Sequence, residues 1–243
     1  MTRGLARAAR VGAVRLGSMG RRGWHGVLIV VLGVVLAGGA ARGGADFERM
    51  LASLTQRWGV SVAPRFAAWQ SLLNGLRNAG DTERLKKVNE FFNRQITFGE
   101  DQAIWNQPDY WATPLETLGR GAGDCEDFVI AKYFSLKEVG VAPEKLRLIY
   151  VRAKIGSGDA AASQAHMVLA YYTQPEAEPL VLDNLVSDIR PASRRPDLVP
   201  VFSFNSEGVY TGVSAKEATP AAGVGRLSRW EDLLKRAKAE GFD

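Results

Sequence analysis

The feature that most constrains the fold is a change of periodicity at Gly140. Before it, apolar residues recur at helical spacing; after it, they fall into strand-length runs. Three amphipathic segments come first. The segment 46-DFERMLASLTQRWG-59 puts Phe47, Met50, Leu51, Leu54 and Trp58 on one face, with Asp46 placed to cap and Gly59 to stop. A second helix is expected from Pro64 to Asn78, and a third follows Asp81 in "TERLKKVNEFFNRQ". Residues 97–114 form an aromatic-rich irregular stretch, and a fourth long helix begins at Cys125. Strand-like runs then occupy 145-KLRLIYVRAKI-155, 165-AHMVLAYYT-173 and 180-LVLDNL-185, with a further pair around 199–212. A last helix covers 228–242. Helices first and strands second predict an α+β fold, with N-terminal helices packed on a central antiparallel sheet.

The N-terminus reads as a leader. Residues 1–44 carry seven arginines and no acid, and removing them turns the formal charge of +5 into −2. The remaining body gives no case for a nucleic-acid partner. An apolar run, 27-VLIVVLGVVLA-37, precedes small residues in 38-GGAARGGA-45. This is the layout of a secretory signal over 1–45, cleaved near Ala41 or Ala45. The run is short for a spanning helix, which needs about 20 residues; an uncleaved membrane anchor is the alternative. Export places residues 46–243, expected to be one domain, in an oxidising periplasm.

In that compartment the chain has one cysteine, Cys125, and, without the leader, one histidine, His166. A zinc site built from cysteine and histidine is therefore excluded. A thiol hydrolase needs a nucleophile, a base and a group that orients the base. Cys125 follows "GAGD" at the start of a helix, where unpaired N–H groups favour a thiolate and can stabilise an oxyanion. His166 opens one strand. If "TQPEAEP" is a hairpin turn, positions equidistant from its centre face one another, which sets Asp183 opposite His166. Asp188 is the fallback. Each residue also has a plainer explanation: a buried small hydrophobe, a hydrogen-bonded structural histidine, a turn-forming aspartate. Their arrangement together is the one thiol catalysis requires.

Asp124, Glu126 and Asp127 crowd the thiol. They can act as helix-capping acids. They can equally be hard oxygen ligands for Ca²⁺, although "DCED" lacks the loop of an EF-hand. A bound dication would cancel the penalty that bare carboxylates impose on the thiolate. Trp111 and neighbouring aromatics are candidates for lining a cleft.

The motifs "GAGDCEDF", "AHMVLAYY" and "LVLDNL", with the upstream "DYWATPLETL", resemble the bacterial transglutaminase-like cysteine proteases of the LapG type. The resemblance spans roughly 46–188. It implies a papain/transglutaminase-like core with Cys125 as nucleophile, His166 as base and Asp183 as orienting acid. It also implies calcium dependence, with Asp124 and Glu126 as ligands and Asp127 as a further candidate. It implies a periplasmic endopeptidase that cleaves the N-terminal region of a large surface adhesin, releasing it and dispersing a biofilm. An inner-membrane receptor for cyclic di-GMP is expected to sequester the protease. The residues leave other readings open. A transglutaminase or deamidase would use the same acyl-enzyme on Cys125, and a non-catalytic calcium-dependent binding module would need the acids alone.

Overall fold

The computed structural model describes residues 46–156, 162–206, 208–211 and 224–242. The expected leader, 1–45, lies outside them. Among the described residues no helix is long and apolar enough to cross a membrane.

The helices form where the spacing requires. In α1 (Phe47–Trp58), Met50 and Leu54 turn inward, and Asp46 accepts the Arg49 N–H at 3.1 Å. Helix α2 (Ala63–Leu76) buries Phe66, Trp69 and Leu73. Helix α3 (Asp81–Gln95) starts one position earlier than the sequence suggests, with Gly80 rather than Asp81 at its N-cap. The stretch read as irregular contains the short strand β1 (Thr97–Phe98) and helix α4 (Asp101–Trp105). Helix α5 (Pro114–Arg120) opens with a capping box between Thr113 and Glu116 and ends at Gly121, whose φ of 68° is left-handed. Strand β2 (Ala122–Gly123) pairs in parallel with β1. Helix α6 (Cys125–Glu138) is central and buried on every face along most of its length: Phe128, Val129, Ile130, Tyr133, Phe134 and Leu136 are all buried, and so are the polar Glu126, Asp127 and Lys132.

The strands then form one sheet: β3 (Leu146–Ile155), β4 (Ala162–Tyr171), β5 (Leu180–Leu182), β6 (Arg190–Pro191), β7 (Leu198–Phe204) and β8 (Val209–Thr211). Their order is β6-β5-β4-β3-β7-β8, and every pairing is antiparallel. Alternation sorts their residues by face. Leu146, Leu148, Met167, Leu169 and Leu182 join the main core with the helices, whereas Ile149, Val151, Val168, Ala170 and Val181 form a smaller apolar cluster on the other face. Helix α7 (Val224–Glu240) returns to the helical layer and inserts Trp230, Leu233 and Ala237. Burying one such large apolar side chain contributes about 1.5–3 kcal/mol. The expected α+β architecture is present.

One detail of register differs from the expectation. The β4–β5 pairing runs Leu169↔Leu182, Ala170↔Val181 and Tyr171↔Leu180, and β5 ends at Leu182. Continued by one residue it would set Asp183 opposite Val168, two positions from His166. The two still share a parity, so their side chains meet on a diagonal.

Candidate active site

Cys125 is the first residue of α6, following the extended N-cap residue Asp124. Glycine at 123 lets the chain turn tightly into the helix, because a Cβ there would lie 2.7 Å from Asp127 Cβ. The thiol is partly buried against the main core. The Met167 backbone N–H reaches its sulfur, so β4 touches the thiol at the residue next to His166. The thiol donates to Glu126 Oε2 at 2.8 Å. Burial pushes its pKa well up, and the carboxylates of Glu126 and Asp124 push it further.

His166 and Asp183 come together: Nε2 and Oδ1 are 2.8 Å apart, and both side chains are buried. Asp183 is held from every side. Oδ1 also accepts the Leu185 N–H at 3.0 Å, Oδ2 accepts Arg195 Nη2 at 2.7 Å, and its backbone carbonyl accepts Asn93 Nδ2 at 2.8 Å. The carboxyl resists burial and is drawn down to about 2, chiefly through the His166 hydrogen bond and charge. Arg195 is buried and also forks onto Asp197 at 2.7 Å. The fallback acid, Asp188, is exposed and paired with Arg190 at 2.9 Å, so it takes no part.

Arg195 and Asn93 were not identified from the sequence. Arg195 lies between the strand-like runs, in 187-SDIRPASRRPDL-198, which has no periodicity, and Asn93 carries no signal beyond its place on a helix. Lys132 was also missed. It is fully buried in α6, seven residues after Cys125, and its Nζ has no hydrogen-bond partner. Burial brings its pKa down to about 7, against the pull of the Asp183 charge.

The three acids flanking Cys125 meet two more from the stretch read as irregular. Asp101, Asp124 and Asp127 converge, as do Asp101, Asp109 and Glu126, with ligand atoms in each group within 4.8 Å. Four of these oxygens (Asp101 Oδ1, Asp109 Oδ1, Asp124 Oδ1 and Asp127 Oδ2) are buried without a hydrogen-bond partner. Burial followed by mutual repulsion raises Asp124 to about 10. Burial raises Asp101 to about 6 and Asp127 well above the carboxylate range. A set made only of oxygen donors, short of partners, fits a hard divalent cation. Helix capping alone does not account for it, because Glu126 is turned to the thiol and Asp127 Oδ1 accepts the Ala112 N–H at 2.7 Å. No local sequence signal marks Asp101 and Asp109 as members of the cluster; the folded chain brings them to it.

Trp111 borders a groove with Asp109, Tyr110, Arg229 and Arg236, but its ring faces the core. It is buried and stacks on Phe204 with ring centroids 5.7 Å apart.

The family model for bacterial transglutaminase-like cysteine proteinases matches residues 74–197, which contain Cys125, His166, Asp183, Arg195 and the five clustered acids. Among solved structures, the chain is similar to LapG of Legionella pneumophila, at 38% identity over 80% of this chain and 99% of that one, with a TM-score of 0.65. An EGTA-treated form of the same Legionella protein gives 38% identity, the same coverage and a TM-score of 0.67. Its calcium-bound form gives 39% identity over 78% of this chain and 98% of that one, with a TM-score of 0.64. No curated protein sequence matches the chain.

Proposed function

The chain belongs to the bacterial transglutaminase-like cysteine proteinases, and from that membership we propose that it is a calcium-dependent endopeptidase of the LapG type working through Cys125, His166 and Asp183. The observation that carries this reading is the buried His166–Asp183 pair beside a helix-start thiol. With Nε2 committed to Asp183, Nδ1 is the nitrogen left to act on the thiol, which β4 meets at Met167, the residue after His166. Nδ1 takes the thiol proton, and the thiolate attacks the carbonyl carbon of the scissile peptide. The oxyanion that forms faces the unpaired N–H groups of the first turn of α6. The imidazolium then gives its proton to the departing amine, leaving an acyl-enzyme on Cys125. Water, deprotonated by the same imidazole, releases the acid and restores the thiol. Asp183 fixes the tautomer and stabilises the imidazolium, and Arg195 fixes Asp183.

Asp124, Glu126 and Asp127, joined by Asp101 and Asp109, would hold Ca²⁺. Bound there, Ca²⁺ supplies positive charge that offsets the repulsion between these carboxylates and the Cys125 thiolate. The calcium-bound form of the similar Legionella LapG supports this assignment. The substrate in this reading is the N-terminal region of a large surface adhesin, cut in the periplasm to disperse a biofilm. The controlling partner is an inner-membrane cyclic di-GMP receptor. Both follow from the resemblance to LapG-type proteases.

The test is incubation of the chain with the N-terminal region of a large adhesin from the same genome, with Ca²⁺ or EGTA, beside Cys125→Ala. The expected result is a shortened adhesin only with both Ca²⁺ and Cys125. Cleavage by the alanine variant overturns the nucleophile assignment. An amine-linked product without chain cleavage would point to transfer rather than hydrolysis.

A further inference from the structure

Helix α7 supplies no carboxylate to the acidic cluster, yet it grips the loop that shapes the cluster. Tyr110 N–H is bonded to Asp101 Oδ2, and Ala112 N–H to Asp127 Oδ1 at 2.7 Å. Each bond occupies one carboxylate oxygen and leaves the other, Asp101 Oδ1 and Asp127 Oδ2, buried and unpartnered. The Trp111 carbonyl lies between those two N–H groups in the chain, and it accepts Arg236 Nη2 at 2.7 Å. Arg236 Nη1 bonds Glu116 Oε2 at 2.7 Å and the Tyr110 hydroxyl at 3.1 Å, and Nε bonds Asp232 at 2.8 Å. Glu116 belongs to the capping box that starts α5, so the clamp ties the loop to a fixed helix end. A second arginine of α7, Arg229, takes Asp109 Oδ2 at 2.9 Å. It too leaves the partner oxygen, Asp109 Oδ1, buried and unpartnered.

The guanidinium is a rigid fork of five donors. With the Trp111 carbonyl pinned, its own peptide plane fixes the direction of the Ala112 N–H, while the bond from Arg236 to the Tyr110 hydroxyl anchors the residue whose N–H meets Asp101. Those two N–H groups decide where the unpartnered oxygens of Asp101 and Asp127 point. Groups that orient metal ligands in this way typically set about 10–100-fold in affinity.

We propose that Arg236 is a positioning residue for the divalent-cation site, and that docking of α7 and binding of Ca²⁺ are thermodynamically linked. The inference rests on the calcium reading above and adds where the affinity is set. Linkage is reciprocal: if the docked helix strengthens cation binding, the cation holds the helix down by the same free energy.

The test is calorimetric titration of the chain with Ca²⁺, beside Arg236→Met and Arg236→Lys, with hydrogen exchange of α7 amides in EGTA and in Ca²⁺. The lysine keeps a charge for Glu116 but cannot also span to the Trp111 carbonyl, so it decides the matter if the methionine variant does not fold. The expected result is a Kd raised about 10-fold or more in the folded variants. Calcium is expected to slow exchange in α7 of the parent chain, and less so in the variants. A lower melting temperature in EGTA with an unchanged Kd would show a merely structural arginine and overturn the proposal. Absence of Ca²⁺ binding by the parent chain would sink the calcium reading itself, and this inference with it.

Discussion

Cys125 Sγ donates a hydrogen bond to Glu126 Oε2 at 2.8 Å, so the proposed nucleophile is held as a thiol by an acid that is also a proposed calcium ligand. Burial and then the Glu126 charge keep the thiol pKa well above its ordinary value. A cation that engages Glu126 removes that acceptor and adds positive charge nearby. Calcium is therefore expected to move the pH midpoint of Cys125 alkylation by iodoacetamide downward. Glu126→Gln in EGTA is expected to move it the same way by a smaller step, while weakening Ca²⁺ binding. An identical alkylation profile for the parent chain in Ca²⁺ and in EGTA would separate the thiol from the metal site.

The bracing of Asp183 changes how its role should be tested. Asp183→Ala leaves the buried Arg195 with only Asp197, and breaking a buried charge pair costs about 3–5 kcal/mol. That variant is expected to unfold more easily as well as to lose activity. Asp183→Asn keeps the shape and is expected to lower turnover by about 10³–10⁴-fold while remaining folded. The two outcomes are read by kcat and by melting temperature. A folded Asp183→Asn with full activity would remove Asp183 from the mechanism.

Acid stability follows from the same carboxyl. Its folded pKa is about 2, below the unfolded value of about 3.9. A depressed carboxyl contributes stability that is present above the unfolded pKa and lost as pH falls through the folded one. The parent chain is thus expected to lose on the order of 2 kcal/mol between about pH 4 and pH 2, and Asp183→Asn to lack that component. Urea denaturation at stepped pH measures it.

Much of this was legible in the sequence because it rests on local chemistry. The helix start at Cys125 follows from glycines and an N-cap residue immediately before an apolar run. The His166–Asp183 contact follows from the parity of a hairpin, which survived a register two residues from the one expected. What was not legible depends on distant segments. Asp101 and Asp109 reach the acids beside Cys125 only because β1 pairs with β2 and brings α4 across. Arg195 lies twelve residues beyond Asp183 in a stretch without periodicity, and only the folded-back chain delivers its guanidinium. An aromatic in a loop can face either the cleft or the core, and although Trp111 borders a groove, stacking on Phe204 takes its ring inward.

Lys132 gives a prediction in which removing a charge stabilises the fold. Its ammonium is fully buried, without a hydrogen-bond partner, and burial lowers its pKa to about 7. Between that value and the unfolded value of about 10.4, the unfolded chain binds more protons, so stability rises with pH across the window. Below about pH 7 the penalty is complete. Lys132→Met fills a similar volume and is expected to stabilise the fold at pH 7 by on the order of 1–4 kcal/mol, with a flatter dependence up to pH 10. Melting curves from pH 6 to 10 check both. A destabilised Lys132→Met would mean that the ammonium makes a compensating interaction with Asp183 that outweighs its burial.

Gly123 offers the cleanest way to separate the acidic cluster from the fold. A Cβ at 123 would lie 2.7 Å from Asp127 Cβ and 2.8 Å from Asp127 Oδ2, closer than real side chains approach. The first of these atoms belongs to the start of a buried side chain on a helix and has little room to move. Gly123→Ala therefore has to shift Asp127 or the turn ahead of Cys125, either of which displaces an oxygen proposed to bind calcium. Overpacking of this kind costs about 1–3 kcal/mol of stability. The variant is expected to remain folded at room temperature, to bind Ca²⁺ at least 10-fold more weakly, and to lose calcium-stimulated cleavage in proportion. Calorimetric titration and the adhesin assay at saturating Ca²⁺ together read the result. Weakened binding with activity restored at high Ca²⁺ would assign Gly123 to the metal site alone. Activity lost even at saturation would show that the same turn also aims the thiol.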